Sequence, residues 1–383
     1  MGLPSENTLR PTLRVAVIGA DSGTPGLARG FAQSTDWEVV AVCDEDRSRA
    51  EGLAREAGNP AVTSSVTELL AGHDVDAVVI ATPAQTHHGI TLQALAAGKH
   101  VLLEKPLADT TGAAVEMVAA AESRGSVLMV NHAYCYTPAV LKIRELIAGG
   151  ELGEIRYVDS VRINHDFVRS DADVFWDQAA HDLSVLDFVL PGGLEPQVVS
   201  AQGADPLRSG KACVGYLNLP LSNGALAHVH VNWLSPTKVQ QMVIGGSRKT
   251  LIWDDLNPQQ RLSIYDRDAV PDRRHMGLAD AGTGPGAAIP SRLQDPWSPP
   301  LSESTPLALM VSNFADAIRG HRPALTDGRS ALRVLSVLES TSTSLARGGA
   351  TTAIPDPWAP AHGASGAGGT APDAGERTGR GGT

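Results

Sequence analysis

The stretch Gly98 to Pro106, GKHVLLEKP, constrains this chain more than any other. The apolar run Val101, Leu102 and Leu103 reads as a buried strand, and it stops abruptly at Glu104, Lys105 and Pro106. A charged amine is thus delivered at the carboxyl end of a strand, where open α/β sheets bind their ligands.

The chain before this stretch alternates regularly. Leu13 to Ile18 (LRVAVI) predicts a strand, Gly19 to Gly26 a glycine-containing turn, Leu27 to Ser34 a helix, and Trp37 to Cys43 a second strand ending at Asp44. Strand, glycine turn, helix, strand and acidic residue, with the acid roughly 20 residues past the turn, is the plan of a dinucleotide-binding βαβ unit. Helices follow at about 47–57, 66–71, 86–97 and 111–123, with strands at 77–80 and 127–130. Strands that alternate with helices imply right-handed crossovers and a parallel Rossmann-type sheet over 13–131.

Beyond Asn131 the pattern changes. A helix at 139–148, a strand at 155–164 and a helix at about 179–189 precede strand-like stretches at 197–202, 213–218, 224–233, 239–244 and 250–253, with no helix between them. Such a run predicts an α+β domain over 132–355 with a largely antiparallel sheet, one face open. Two helices, about 306–319 and 329–346, pack back onto the core. The expected periphery is a flexible leader at 1–12, a long Gly/Pro/Asp/Arg-rich loop at 268–300, and a disordered tail at 356–383 dominated by Gly, Ala, Pro and Thr.

A formal charge of −11 over 383 residues argues against nucleic acid or an anionic membrane as partner. It leaves room for an anionic small molecule in a local basic pocket. Cys43, Cys135 and Cys213 lie far apart without metal-ligand spacing, and no apolar run is long enough to cross a bilayer. The expectation is a cytoplasmic protein.

Three residues carry the predicted chemistry. An ammonium at Lys105 can hydrogen-bond a substrate hydroxyl and hold its proton, and a cis bond to Pro106 would set where the amine points. Asp177 and His181, four apart at a predicted helix start, project from one face; His181 is the natural acid/base, and Asp177 can orient it or bind a hydroxyl. The same spacing suits a metal, but no carboxylate or Cys cluster completes such a site. Asp44 can accept hydrogen bonds from an adenosine ribose and repel a 2′-phosphate, favouring NAD over NADP, while Arg47 nearby leaves room for NADP. Asp44, Glu45 or Asp46 could equally cap the next helix.

With these features in place the chain resembles the Gfo/Idh/MocA oxidoreductases over about Leu13 to Gly349. The resemblance rests on Val15 to Gly19, Asp44, Ala81 to Pro83 with His87, Gly98 to Pro106, and Asp177 with His181. Within that family it is most similar to sugar-nucleotide 3-dehydrogenases, through NHAYCYTPAV (131–140), VRINHDF (161–167), VNWLSPTK (231–238) and WDD (253–255). The resemblance implies catalysis by Lys105, His181 and Asp177, and a dinucleotide held by Gly19, Ala20, Asp21, Ser22, Gly23, Thr24, Asp44, Arg47, Thr82, Pro83, His87, Glu104 and Lys105. It places Tyr134, Tyr136, Arg162, His165, Trp233 and Lys238 around a polar substrate, with Arg162 or Lys238 suited to a carboxylate or phosphate. It also implies a homodimer or homotetramer formed through the open sheet.

One departure from the family pattern stands out. Counting from Gly19, Asp21 occupies the second glycine of G-x-G-x-x-G and Thr24 the third. The second glycine lets backbone approach a pyrophosphate, and an ionised Asp21 adds bulk and like charge there. The expected activity is NAD(H)-dependent hydride transfer to or from a sugar, sugar nucleotide or similar polyol. The alternative is a cofactor-independent lyase, isomerase or cyclase on the same scaffold.

Overall fold

The computed structural model describes residues 12–21, 23–72, 74–165, 168–169, 172–266 and 296–358. The expected leader, most of the long loop and almost all of the tail lie outside these residues, as does Ser22.

The first half runs β1 (Leu13–Ile18), α1 (Thr24–Gln33), β2 (Trp37–Cys43), α2 (Arg47–Glu56), β3 (Ala61–Thr63), α3 (Val66–Gly72), β4 (Ala77–Ile80), α4 (Ala84–Ala96), β5 (His100–Leu103), α5 (Thr111–Arg124) and β6 (Leu128–Val130). All six strands pair in parallel in the order β3-β2-β1-β4-β5-β6. The direction of winding reverses between β1 and β4, which opens a crevice at their carboxyl ends. The ladder continues one residue past several strands: Gly19 N donates to Cys43 O, Ala81 N to Ile18 O and Glu104 N to Ile80 O, each at 2.8 Å, and Asn131 N to Leu103 O at 2.7 Å. Residues expected to carry chemistry therefore leave the sheet in register along one edge.

A 3₁₀ turn (Ala133–Tyr136) leads into α6 (Pro138–Ala148) and β7 (Ile155–His165); a π-helical turn (Phe175–Ala179) precedes α7 (Ala180–Val189). The strands that follow are β8 (Val198–Ala204), β9 (Val214–Pro220), β10 (Leu226–Asn232), β11 (Leu234–Gly246), β12 (Lys249–Asp254) and β13 (Leu262–Asp266), then α8 (Pro306–Ile318), α9 (Gly328–Ala346) and β14 (Thr352–Ala353). They form one sheet in the order β13-β12-β11-β7-β10-β9-β8-β14, antiparallel at every pairing except β7 with β10. Burial alternates with the pleat: Ala227, Val229 and Val231 of β10 are fully buried, whereas Leu226 is 49% exposed. One face carries the helices; the other, with Tyr216 and Leu226, is open.

α8 and α9 return to the first sheet. Trp37 stacks on Phe314 at 5.2 Å and donates from Nε1 to Val311 O at 3.0 Å, fixing α8 to β2, while Val130 N donates to Thr326 O just before α9. The parallel sheet is thus completed by chain from the far end of the sequence. β3, β13, β14 and the 3₁₀ turn are elements the sequence pattern does not announce; β3 and β14 span only three and two residues, too short for periodicity to register.

Candidate active site

The site lies along the carboxyl edge of the parallel sheet, where two sets of residues meet. The first surrounds the β1/β4 crevice. Gly19 has φ +97°, and a Cβ there would lie 2.4 Å from Ala81 O, so only glycine lets the turn pass the end of β4. Among the described residues no side chain caps the first turn of α1, which leaves its amide end available to an anion. The crevice, about 320 Å³, is lined by Gly19, Asp21, Asp44, Arg49, Thr82 and Thr86 among others. Uncapped amides, a glycine cradle and a carboxylate at the end of β2 fit a dinucleotide.

Asp44 is 7% exposed and its carboxylate is held on both sides: Oδ2 accepts from Ala20 N at 2.8 Å, Oδ1 from Asp46 N at 2.9 Å. The helix-cap role falls to Asp46, whose Oδ1 accepts from Ser48 N at 2.9 Å. That resolves the three-way choice of cap and leaves Asp44 for the crevice. The expected cation beside it, Arg47, instead pairs with Glu51 one turn along the exposed side of α2 at 3.0 Å. Arg49 takes the place at Asp44, donating from Nε at 3.1 Å and Nη2 at 2.9 Å. The cap explains the substitution: with Asp46 as N-cap, Arg49 is the third helical residue, whose side chain reaches back over the cap.

The two loop departures are accommodated. Thr24, at the position of the third glycine, is 2% exposed in the first turn of α1 and packs there. Asp21 is exposed, and its carboxylate is engaged by Arg49 Nη1 at 3.3 Å. Gly23 is the N-cap of α1.

His87 does not face the crevice. It is 1% exposed, and its ring nitrogens lie 2.9 Å from Pro106 O and 2.8 Å from Thr82 O, tying the turn after β4 to the turn after β5. Burial pushes its pKa down, against the carbonyls that favour the proton. Glu104 accepts from Asn131 Nδ2 at 2.6 Å and so braces the base of Lys105. The Lys105–Pro106 bond is cis.

The second set gathers Lys105, Asp177 and His181. Lys105 Nζ donates to Asp177 O at 3.2 Å and lies 3.7 Å from Asp177 Oδ1. Asp177 Oδ2 accepts from Trp233 Nε1 at 3.0 Å, and Oδ1 from Arg169 Nη1 at 3.2 Å. Burial lowers the Lys105 pKa, and the charge of Asp177 works against that shift. The π-helical turn carries Asp177 and hands over to α7, which carries His181. Asp177 thus reaches Trp233 and Arg169, not His181, and the two do not form the expected orienting pair. The His181 ring sits edge-on to Tyr134 at 4.9 Å, and its buried Nδ1 has no partner among the described residues. Burial first, then the charges of Lys105 and Arg162, hold its pKa well below the ordinary histidine value. Those causes favour the uncharged imidazole.

Of the expected substrate residues, Tyr134 faces this site. Trp233 is fully buried and acts on Asp177. Arg162 is 4% exposed, grips Asp182 with Nε and Nη2 at 3.0 Å each, and lies 4.3 Å from the Tyr134 ring. It is committed to a buried ion pair beneath Tyr134, which corrects its expected place on the substrate. Tyr136 is 1% exposed, with its hydroxyl donating to Asn313 Oδ1 at 3.0 Å; it belongs to the core. His165 and Lys238 are exposed, at the end of β7 and in the irregular stretch of β11 facing it.

Two residues join the site that sequence reasoning did not assign, Arg169 and His132. His132 follows β6 by two residues, is 4% exposed, and has neither ring nitrogen partnered among the described residues. Burial, helped by the Lys105 charge, pushes its pKa down to about 4. Its signal was present in the Asn-His pair that ends the last parallel strand, but a lone histidine carries no chemistry by itself. Among the described residues no three His, Cys, Asp or Glu side chains are grouped to hold a metal ion.

The family described as oxidoreductases with an NAD-binding Rossmann fold matches residues 13–132, and the C-terminal domain of the same Gfo/Idh/MocA family matches 140–252. The chain belongs to this family. It is 32% identical over 325 residues to UDP-N-acetylglucosamine 3-dehydrogenase of Acidithiobacillus ferrooxidans, covering 85% of this chain and 94% of that one. The solved structure of that enzyme superposes with a TM-score of 0.74, 28% identity, and coverage of 88% of this chain and 99% of the other. D-glucoside 3-dehydrogenase of Escherichia coli is 38% identical over 151 residues, 39% of this chain and 43% of that one. The chain is an NAD-dependent oxidoreductase by family, and the non-redox alternative is not favoured.

Proposed function

We propose that this NAD-dependent oxidoreductase moves a hydride between the cofactor and a ring carbon of a sugar or sugar nucleotide, with Lys105 and His181 handling the oxygen and its proton. The observation that carries the reading is the placement of both groups at the edge beside the β1/β4 crevice, each with its pKa lowered by burial. The sugar comes from the relatives, among them a UDP-N-acetylglucosamine and a glucoside 3-dehydrogenase.

When bound, the nicotinamide supplies the hydride acceptor. Lys105 donates a hydrogen bond to the substrate oxygen and stabilises charge that develops there. Neutral His181 accepts the hydroxyl proton as the carbinol carbon loses its hydride; in the reverse direction it returns that proton. Asp177, held by Trp233 and Arg169, fixes the Lys105 ammonium, and Tyr134 forms the wall against His181. His165 and Lys238 suit the polar or anionic remainder of the substrate.

Among the described residues no helix is long and apolar enough to cross a membrane. We place the enzyme in the cytoplasm as a homodimer or homotetramer joined through the open sheet face, where Tyr216 and Leu226 are 43% and 49% exposed. The test is turnover with UDP-sugars and free sugars, followed by NADH formation, in the wild type, Lys105→Ala and His181→Ala. Each substitution abolishes turnover and leaves NADH binding largely intact; full activity in both would refute the assignment.

A further inference from the structure

The loop between β1 and α1 departs from the dinucleotide pattern at Asp21, and that departure is wired to the carboxylate at the end of β2. Arg49 places Nε and Nη2 on Asp44 Oδ1 at 3.1 and 2.9 Å, while Nη1 reaches across the mouth of the crevice to Asp21 Oδ1 at 3.3 Å. Glu45 and Asp46 each approach the same guanidinium to 3.9 Å. One cation, 43% exposed, therefore sits among four carboxylates on the rim of the cavity.

In dinucleotide sites a carboxylate at the end of the second strand takes the ribose 2′-hydroxyl of NAD, and an arginine nearby accommodates the 2′-phosphate of NADP. This chain has both groups within one hydrogen bond of each other. Which of them meets the ribose depends on where the guanidinium is held. Among the described residues Asp44 Oδ2 accepts from Ala20 N alone and retains a lone pair for a hydroxyl donor, whereas all three nitrogens of the Arg49 fork are spent on carboxylates.

We propose that Asp21 sets the cofactor selectivity of this enzyme: by holding Arg49 down against Asp44 it keeps a free guanidinium from the ribose pocket and excludes NADP. The loop residue that looks like an obstacle to dinucleotide binding is then a selectivity device, and the same ion pair offsets its charge towards the pyrophosphate. The inference rests on the dinucleotide reading of this crevice.

The test is equilibrium binding of NADH and of NADPH to the nucleotide-stripped full chain without substrate, by nucleotide fluorescence or calorimetry. The proteins are the wild type, Asp21→Gly, Asp21→Asn and the double variant Asp21→Gly with Arg49→Gln, with thermal unfolding of each to confirm a fold. The wild type should favour NADH by about 100-fold or more, and both single variants should shrink that ratio by about tenfold through a gain in NADPH affinity. Adding Arg49→Gln should erase the gain. An unchanged ratio in both single variants, or a gain that survives Arg49→Gln, overturns the proposal. So does a wild type blind to both nucleotides alongside an Asp21→Gly variant that binds both, since Asp21 would then be an obstruction. Folded proteins that bind neither nucleotide in any form would overturn the cofactor reading itself, a different pattern from the failure of selectivity alone.

Discussion

Neutralising the buried partner of Arg162 with Asp182→Asn should destabilise the fold rather than weaken substrate binding. Both side chains are 5% exposed or less, and the two guanidinium contacts are 3.0 Å each. Among the described residues Arg162 Nη1 has no hydrogen-bond partner, so the guanidinium has little else to turn to once Asp182 is neutral. Removing one member of a buried pair leaves an uncompensated charge and costs roughly 3–5 kcal/mol. At about 2–4 °C per kcal/mol that lowers Tm by about 6–20 °C. Replacing both residues with apolar ones of similar volume, Arg162→Met with Asp182→Leu, should recover most of the loss, because the pair's Coulombic gain is largely offset by its desolvation.

The assays are thermal unfolding by circular dichroism and steady-state kinetics on the same proteins. A substrate-anchoring arginine predicts the opposite pattern, with Tm held within about 2 °C while KM rises by about tenfold or more, since an exposed ligand contact adds little to folding. If Arg162→Lys and Asp182→Asn both behave that way, the buried-pair account is wrong and Arg162 belongs to the substrate after all. If instead Tm falls steeply and the double apolar variant restores it, the pair supports Tyr134 from below and has no ligand of its own.

Two further outcomes follow from the same geometry. His132 has its folded pKa near 4, below the ordinary 6.5, so the unfolded chain binds the proton first and stability falls as pH drops from about 6.5 to about 4, by roughly 3 kcal/mol. Urea midpoints across that range should be flatter for His132→Asn than for the wild type, and identical slopes would sink the assignment. Trp233→Phe removes the Nε1 donor from the Asp177 carboxylate. A hydrogen bond to a charged group contributes about 1.5–3 kcal/mol, so kcat should fall by about 10- to 100-fold with NADH affinity unchanged; a KM effect alone would place Trp233 on the substrate instead.

The parallel half was legible because its signals are local. Each apolar run ends at a residue that a strand's carboxyl end can use, Gly19, Asp44, Ala81 and Glu104, and the backbone bonds that carry the ladder one residue further put them on one edge. The neighbours of those residues were harder to read. Arg47 and Arg49 look alike in the sequence, and what separates them is which aspartate caps α2, a choice between Asp44, Glu45 and Asp46 that one hydrogen bond to Ser48 decides. Asp177 and His181 have helical spacing, yet a π-helical turn carries the first and sends it to Trp233 and Arg169.

Burial was the other hidden quantity. Tyr136 and Trp233 belong to stretches that resemble a substrate pocket, but α8 returns from far along the chain to cover Tyr136 with Asn313, and Trp233, between β10 and β11, is fully buried with its Nε1 on Asp177. A polar aromatic with a buried partner and one facing a ligand have the same letter and the same flanks. The difference lies in which distant element arrives to accept the hydrogen bond, and contact over 177 residues of separation leaves no local periodicity to read. Residues at this site therefore divide by what the fold already engages: Tyr136, whose hydroxyl is bonded to Asn313, and Arg162, whose Nε and Nη2 grip Asp182, hold the walls, whereas His132 and His181 are buried imidazoles that each keep a ring nitrogen unpartnered among the described residues.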